Sequence, residues 1–230
     1  MTEGAANSER ISGQKRFWDA HYREDPEFFG PDESAFGRWS LTRMRSHQVR
    51  SVVELGFGYG RDIAFFRRNG FETTGVELSA EGYNTASRRF KGDAGIKLLE
   101  SDALSYLKSS HSGVWDAMYS NLFLNMHLTR EEHLDIFTDI ARVLRTGGLH
   151  LFSVRSNNDP WYGKGKHVAT DTFNHSPFGS TLVYFSSDAI RSLTPPSLTT
   201  VEQIEIEECA NEFTIRVFYV LQVKKDISPE

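Results

Sequence analysis

The sequence predicts an α/β fold: a mostly parallel sheet of seven strands with helices on both faces, closed by an antiparallel C-terminal hairpin. Three observations carry this expectation. Short apolar runs alternate with amphipathic segments from Ser51 to Val154, and parallel neighbours need such long crossovers. Ser51-Val52-Val53-Glu54-Leu55-Gly56-Phe57-Gly58-Tyr59-Gly60-Arg61-Asp62 reads as strand, glycine turn and helix start. The last two β-rich runs, 198–207 and 212–223, leave no room for a helix between them and must pair as a hairpin on the sheet edge.

The elements follow in order. Residues 1 to about 10 are small and polar and are expected to fray. QKRFWDAHYR, 14–23, places Phe17, Ala20 and His21 on one helical face with Trp18 and Tyr22 beside it, and Asp32 is a candidate cap for a second helix carrying Phe36, Trp39 and Met44. Strand 51–55 leads to helix 60–69, strand 72–77 follows Gly70, and Ser79 caps a helix to about Phe90. Strand 95–100 precedes a short helix near 104–107, and strand 114–119 precedes a helix that Thr129 and Glu132 open as a capping box and Gly147-Gly148 stop. Strand 149–154 is the fifth. An irregular stretch, 155–180, and a short helix at 187–193 separate it from the hairpin.

At 230 residues the chain suits one structural domain, with 1–48 as an N-terminal helical segment able to close as a lid and 49–230 as the main body. Formal net charge is −5 with no long Lys/Arg block, so the footprint for nucleic-acid phosphates is missing. The single cysteine, Cys209, excludes an intrachain disulfide and a cysteine metal cage, and fits a reducing, cytoplasmic setting. No run approaches the roughly 20 apolar residues of a membrane span. The eight histidines show no H-E-x-x-H or comparable spacing, so no metal is expected.

The glycine turn is a seat for a ligand, because only bare backbone reverses that tightly and lets a ligand approach its N–H groups. A dinucleotide fingerprint would put its third glycine at Arg61, and the G-x-x-x-x-G-K-[ST] phosphate cradle is absent. The chain has E-x-G-x-G-x-G instead, with Glu77 ending the next strand, one βαβ step on from Glu54. In an open α/β sheet ligands bind beyond the carboxyl ends of the strands, and Glu54, Glu77, Asp102 and Asn121 fall at four consecutive strand ends.

From about Val52 to Val154 these features resemble the Rossmann-like core of class I S-adenosylmethionine (SAM) methyltransferases. The resemblance implies that Gly56, Gly58 and Gly60 approach the methionine part of SAM, that Glu54 helps hold its ammonium, Glu77 the ribose diol and Asp102 the adenine amino group, and that Asn121 sits near the sulfonium. Asp102 reads equally as a helix N-cap, Asn121 as a turn former, and Arg61 as a partner of the cofactor carboxylate or a solvated helix-start arginine. The loop 152–167, FSVRSNNDPWYGKGKH, leaves the fifth strand at the ligand end; it more loosely resembles small-molecule methyltransferases of the tellurite-resistance and thiopurine groups.

That loop places Arg155, Trp161, Tyr162 and His167 among the candidate substrate and catalytic residues. His127 joins them as a candidate base, and Trp18, Tyr22 and Trp39 as substrate-binding aromatics of the N-terminal segment. The expected reaction is methyl transfer to a small-molecule nucleophile: a thiol, metalloid oxyanion, amine or hydroxyl. The rival readings are a non-catalytic SAM-binding regulatory module and a nicotinamide oxidoreductase, the latter disfavoured by the missing G-x-G-x-x-G.

Overall fold

A computed structural model describes residues 3–174, 180–210 and 213–226, with side chains from Glu9 onward except at Ala210. Two helices, α1 (Glu3–Glu24) and α2 (Ala35–Ser46), precede the sheet. The first begins well before the expected Gln14, so much of the stretch read as frayed is helical. The second is capped by Ser34 rather than Asp32: the Ser34 hydroxyl accepts from Gly37 N–H at 2.7 Å.

The body alternates as the periodicity requires: β1 (Ser51–Leu55), α3 (Arg61–Arg68), β2 (Glu72–Glu77), α4 (Ala80–Arg89), β3 (Ile96–Glu100), α5 (Ala103–Ser109), β4 (Trp115–Asn121), α6 (Arg130–Val143) and β5 (Leu144–Arg155). After β5 come β6 (Lys166–Ala169), β7 (Thr172–Asn174), β8 (Thr181–Val183), α7 (Ser187–Leu193), β9 (Leu198–Ala210) and β10 (Phe213–Lys224). The main sheet has seven strands in the order β3-β2-β1-β4-β5-β10-β9. The first five are parallel, and β10 and β9 are antiparallel additions. Strand order therefore reverses between β1 and β4, which puts the ligand crevice at their carboxyl ends.

Successive residues of each central strand feed opposite layers. Val53, Met118 and Phe152 meet Ile136, Phe137 and Ile140 of α6, while Val52, Tyr119 and Leu151 meet Phe36 and Met44 of α2 and Phe65 and Phe66 of α3. Each such fully buried side chain contributes on the order of 1.5–3 kcal/mol relative to exposure, so both helix layers are fastened to the same strands.

Two expectations about the third quarter of the chain are corrected. β5 starts at Leu144, and Gly147-Gly148 lie inside it. The β4–β5 register jumps there, from Trp115 opposite Leu144 to Ala117 opposite Leu149. Gly147 adopts φ +74°, and a Cβ on Gly148 would stand 2.8 Å from the Arg145 carbonyl oxygen, so the pair is a bulge that the ladder passes through. The stretch 155–180 is not wholly irregular, because β6 and β7 pair with β8 in a separate three-stranded sheet. Among the described residues no helix is long and apolar enough to cross a membrane, and no group of three His, Cys, Asp or Glu is placed to hold a metal ion.

Candidate active site

The floor of the crevice is the turn after β1. Gly56, Gly58 and Gly60 adopt φ of +73°, +60° and +84°, the left-handed region where glycine carries no steric penalty. Gly58 N–H donates to Glu77 Oε2 at 2.8 Å, and Ser79 N–H donates to Glu77 Oε1 at 2.7 Å. Glu77 thus ties the glycine turn to the start of α4. Burial raises its pKa, partly opposed by those N–H donors.

Glu54 is different. It is 3% exposed, and its Oε2 is buried without a hydrogen-bond partner. Burial, reinforced by the Asp62 carboxylate, pushes its pKa well above the usual range. Asp62 itself is fully engaged, accepting from Ser34 N–H at 2.8 Å, the Ser34 hydroxyl at 2.7 Å and the Tyr119 hydroxyl at 2.6 Å. A buried, partnerless carboxylate oxygen carries a desolvation cost that an incoming cation would relieve. Arg61 lines the same cavity, braced by a 2.8 Å bond from Nη1 to the Phe29 carbonyl oxygen.

The remaining predicted cofactor residues stand on this rim. Asp102 lines the cavity and caps α5 through Oδ1, which accepts from Ser105 N–H at 2.8 Å, so the capping role leaves it at the site. Asn121 also lines the cavity, its Oδ1 accepting from the Ser153 hydroxyl at 2.5 Å. Next to Asn121 the structure adds a residue that sequence reasoning passed over. Leu122 lines the cavity at φ +58°, a conformation uncommon for a residue with a side chain, and its N–H donates to Ser153 Oγ at 3.0 Å. Nothing local marks it, because the partner that holds it is on β5.

The roof is α1. Ile11, Gln14, Trp18 and Tyr22 line the cavity, with Trp18 stacked on Tyr22 at 5.6 Å between ring centroids. On one side Asp19 accepts from the Ser79 hydroxyl at 2.6 Å and Lys15 donates to the Leu78 carbonyl at 2.7 Å. On the other, Arg10 pairs with Glu132 and, with Gln14, donates to the His127 carbonyl oxygen. The helix therefore bridges the end of β2 and the segment after β4.

Arg155 also reaches the cavity, but its guanidinium is clasped by both oxygens of Asp159 at 2.7 Å and is 7% exposed. Asp159 in turn accepts from Trp161 N–H and Arg216 N–H, so this buried pair anchors the loop to β10. His127 lines a second, outer cavity rather than the inner one.

Four expected residues are elsewhere. Trp39 packs on Phe36 and Tyr219 beneath the sheet, with Arg43 over its face. Trp161 packs on Phe213, Tyr162 donates to Asp171 at 2.6 Å, and His167 lies on exposed β6 against Phe173. None of the four lines either cavity. For Trp161, Tyr162 and His167 the physical reason is the turn at Asp159, which sends the chain into the small sheet; Trp39 lies on the face of α2 that packs against the sheet.

This strand order, a reversal at β1 and a glycine turn facing an acidic strand end define the fold of SAM-dependent methyltransferases. Residues 52–148 match the methyltransferase domain family. The chain is 27% identical over 150 residues to the fatty-acid O-methyltransferase of Mycolicibacterium smegmatis, covering 60% of this chain and 52% of that protein. The chain spans about half the length of the curated relatives it matches. A SAM-dependent methyltransferase from Methanosarcina mazei superposes with a TM-score of 0.70 at 15% identity, covering 84% of this chain and 99% of the other. The Burkholderia thailandensis 1,6-didemethyltoxoflavin-N1-methyltransferase, solved with S-adenosylhomocysteine, gives 0.65 at 16% identity, covering 98% and 91%. These two likenesses are of fold.

Proposed function

We propose that the protein transfers a methyl group from SAM to the nucleophile of a small molecule. The observation that supports this reading most is Glu54 Oε2, buried and unpartnered beside Arg61 at the glycine turn. A carboxylate and a guanidinium lining one cavity complement an α-amino acid, whose ammonium and carboxylate carry the opposite charges. Glu54 and Arg61 would hold the methionine end of SAM, and the amides of the glycine turn would lie along it. Glu77 would meet the ribose and Asp102 the adenine amino group.

When bound, SAM supplies an electrophilic methyl on a good leaving group. The chain's contribution is alignment and exclusion of water: α1 roofs the cavity, and Asn121 and Leu122 shape the wall after β4. Calorimetry with S-adenosylhomocysteine tests this reading. Wild-type protein should bind, and Glu54→Gln should bind about 10- to 100-fold more weakly, the usual loss for one charge-assisted contact. Equal affinity of the two proteins would overturn the assignment of Glu54.

A further inference from the structure

The outer cavity, about 400 Å³, lies between α1 and the small sheet. Gln14, Trp18, Met126 and Ser180 line both it and the inner cavity, so they form a neck between the two. Its lining includes the aromatic residues Phe17 and Trp18, the thioether-bearing Met126, and the polar residues Ser180, Thr181 and His127. Charge is muted. Arg10 is joined to Glu132 and to the His127 carbonyl oxygen, and the remaining carboxylate, Glu9, is exposed at the rim.

Resting on the methyltransferase reading, we propose that this outer cavity is the acceptor site, taking a small, uncharged aromatic molecule with a hydroxyl or thiol, and that Met126 and Trp18 at the neck set which acceptors reach the methyl. An oxyanion would need a cation not already committed, and an ammonium a buried carboxylate on the wall; among the described residues this wall offers neither. Aromatic and thioether walls instead suit an uncharged ring. Burial, then the nearby Arg10 charge, lower the pKa of His127, while Glu132 opposes them, so the neutral imidazole, the form that accepts a proton, is favoured. In the step itself the acceptor O or S bonds to the methyl carbon, the carbon–sulfur bond breaks with its electron pair kept by sulfur, and the acceptor proton passes to His127.

Gly13 provides the test. It lines only the outer cavity, and a Cβ built there meets nothing nearer than Arg16 at 4.0 Å, so larger side chains fit the helix and project into open space. Binding of benzyl mercaptan and 4-methylphenol to the protein saturated with S-adenosylhomocysteine would be measured by calorimetry, and their methylation with labelled SAM. Tellurite, benzoate and benzylamine, charged at neutral pH, serve as comparators.

Wild-type protein should bind and methylate the two uncharged aromatics in preference to the comparators. Gly13→Leu should weaken their binding about tenfold or more, as expected for a filled site, while Gly13→Ala does not and S-adenosylhomocysteine affinity stays within about twofold in both. Met126→Ala should extend the accepted range to bulkier rings. Preference for a charged comparator, no transfer to any of the panel by protein that binds S-adenosylhomocysteine, or no effect of Gly13→Leu would each overturn the proposal. Failure to bind S-adenosylhomocysteine would instead strike the methyltransferase reading beneath it.

Discussion

The floor and the roof of the inner cavity are held by opposite means. On the floor, backbone amides and strand-end carboxylates within a short span of chain fix one another: Gly58 and Ser79 N–H groups both bind Glu77. In the roof, α1 depends on side chains reaching far along the sequence, from Asp19 to Ser79 and from Arg10 to Glu132. A floor made of backbone is preorganised and costs little further ordering when a ligand arrives, whereas a roof made of side-chain contacts is the part that can open. Cofactor recognition should therefore be rigid and acceptor access adjustable.

The most severe way to break that contrast is to put a side chain on the floor. At Gly58 the backbone is left-handed, and a Cβ would lie 2.7 Å from the Tyr22 hydroxyl. Gly58→Val should reduce S-adenosylhomocysteine affinity by roughly a hundredfold or more, given the backbone strain and the collision with α1. Calorimetry on protein with an unchanged far-ultraviolet spectrum measures it, and retained affinity would show that the floor is not rigid.

A second, smaller effect sharpens the same side through pH. Glu54 holds its proton more tightly in the folded chain than at its ordinary 4.5, because of burial and the Asp62 charge. The folded state is therefore favoured most below 4.5 and loses that advantage as pH rises through the raised value. The melting temperature of ligand-free protein should fall relative to Glu54→Gln as pH goes from mildly acidic to alkaline. Saturating S-adenosylhomocysteine should flatten that fall by supplying the missing cation. Parallel melting curves across the range would contradict it.

The contrast also explains what the sequence disclosed. The floor was legible because its information is local: three glycines, an acidic residue before them and Glu77 one βαβ step later all fall in one stretch. The sheet was legible for the same reason, since periodicity and capping at Ser79 and Thr129 are short-range signals. Trp161, Tyr162 and His167 misled because aromatic and imidazole groups in a loop do not reveal which way the loop turns, and Trp39 because a helix's aromatic does not reveal which layer it packs into. The loop's direction is set by Asp159 pairing with Arg155 and Arg216 N–H, a contact across to β10. Leu122 was invisible because its left-handed backbone is imposed from another strand.

The roof should give way more gently. Asp19 accepts from both the Ser79 hydroxyl and Glu81 N–H, fastening α1 over the first turn of α4. Asp19→Ala should cost about 1–2 kcal/mol of local stability, the worth of one or two such bonds. It should speed amide exchange across residues 10–24 while leaving the central strands protected. If α1 were merely edge packing, exchange would rise but S-adenosylhomocysteine affinity would not change. A loss of about threefold to tenfold is expected for a roof.

The smallest effect should come from Ser153, which belongs to neither surface and supports the wall between them. Its hydroxyl donates to Asn121 Oδ1 and accepts from Leu122 N–H, so one buried group orients an amide and holds a strained backbone. Ser153→Ala removes both bonds without adding volume. Leu122 N–H keeps its 3.2 Å bond to the Ser153 carbonyl oxygen, so Asn121 is the group released, which should lower kcat by about threefold to tenfold, the consequence of a small misplacement of the reacting groups. Affinity for S-adenosylhomocysteine should change little, because Glu54, Glu77 and the glycine turn are untouched. Ser153→Thr, which keeps the hydroxyl, should recover most of the rate if Ser153 acts through Asn121. A drop in cofactor affinity equal to the drop in kcat would instead place Ser153 with the floor, and the wall after β4 would lose its separate role in aligning the acceptor.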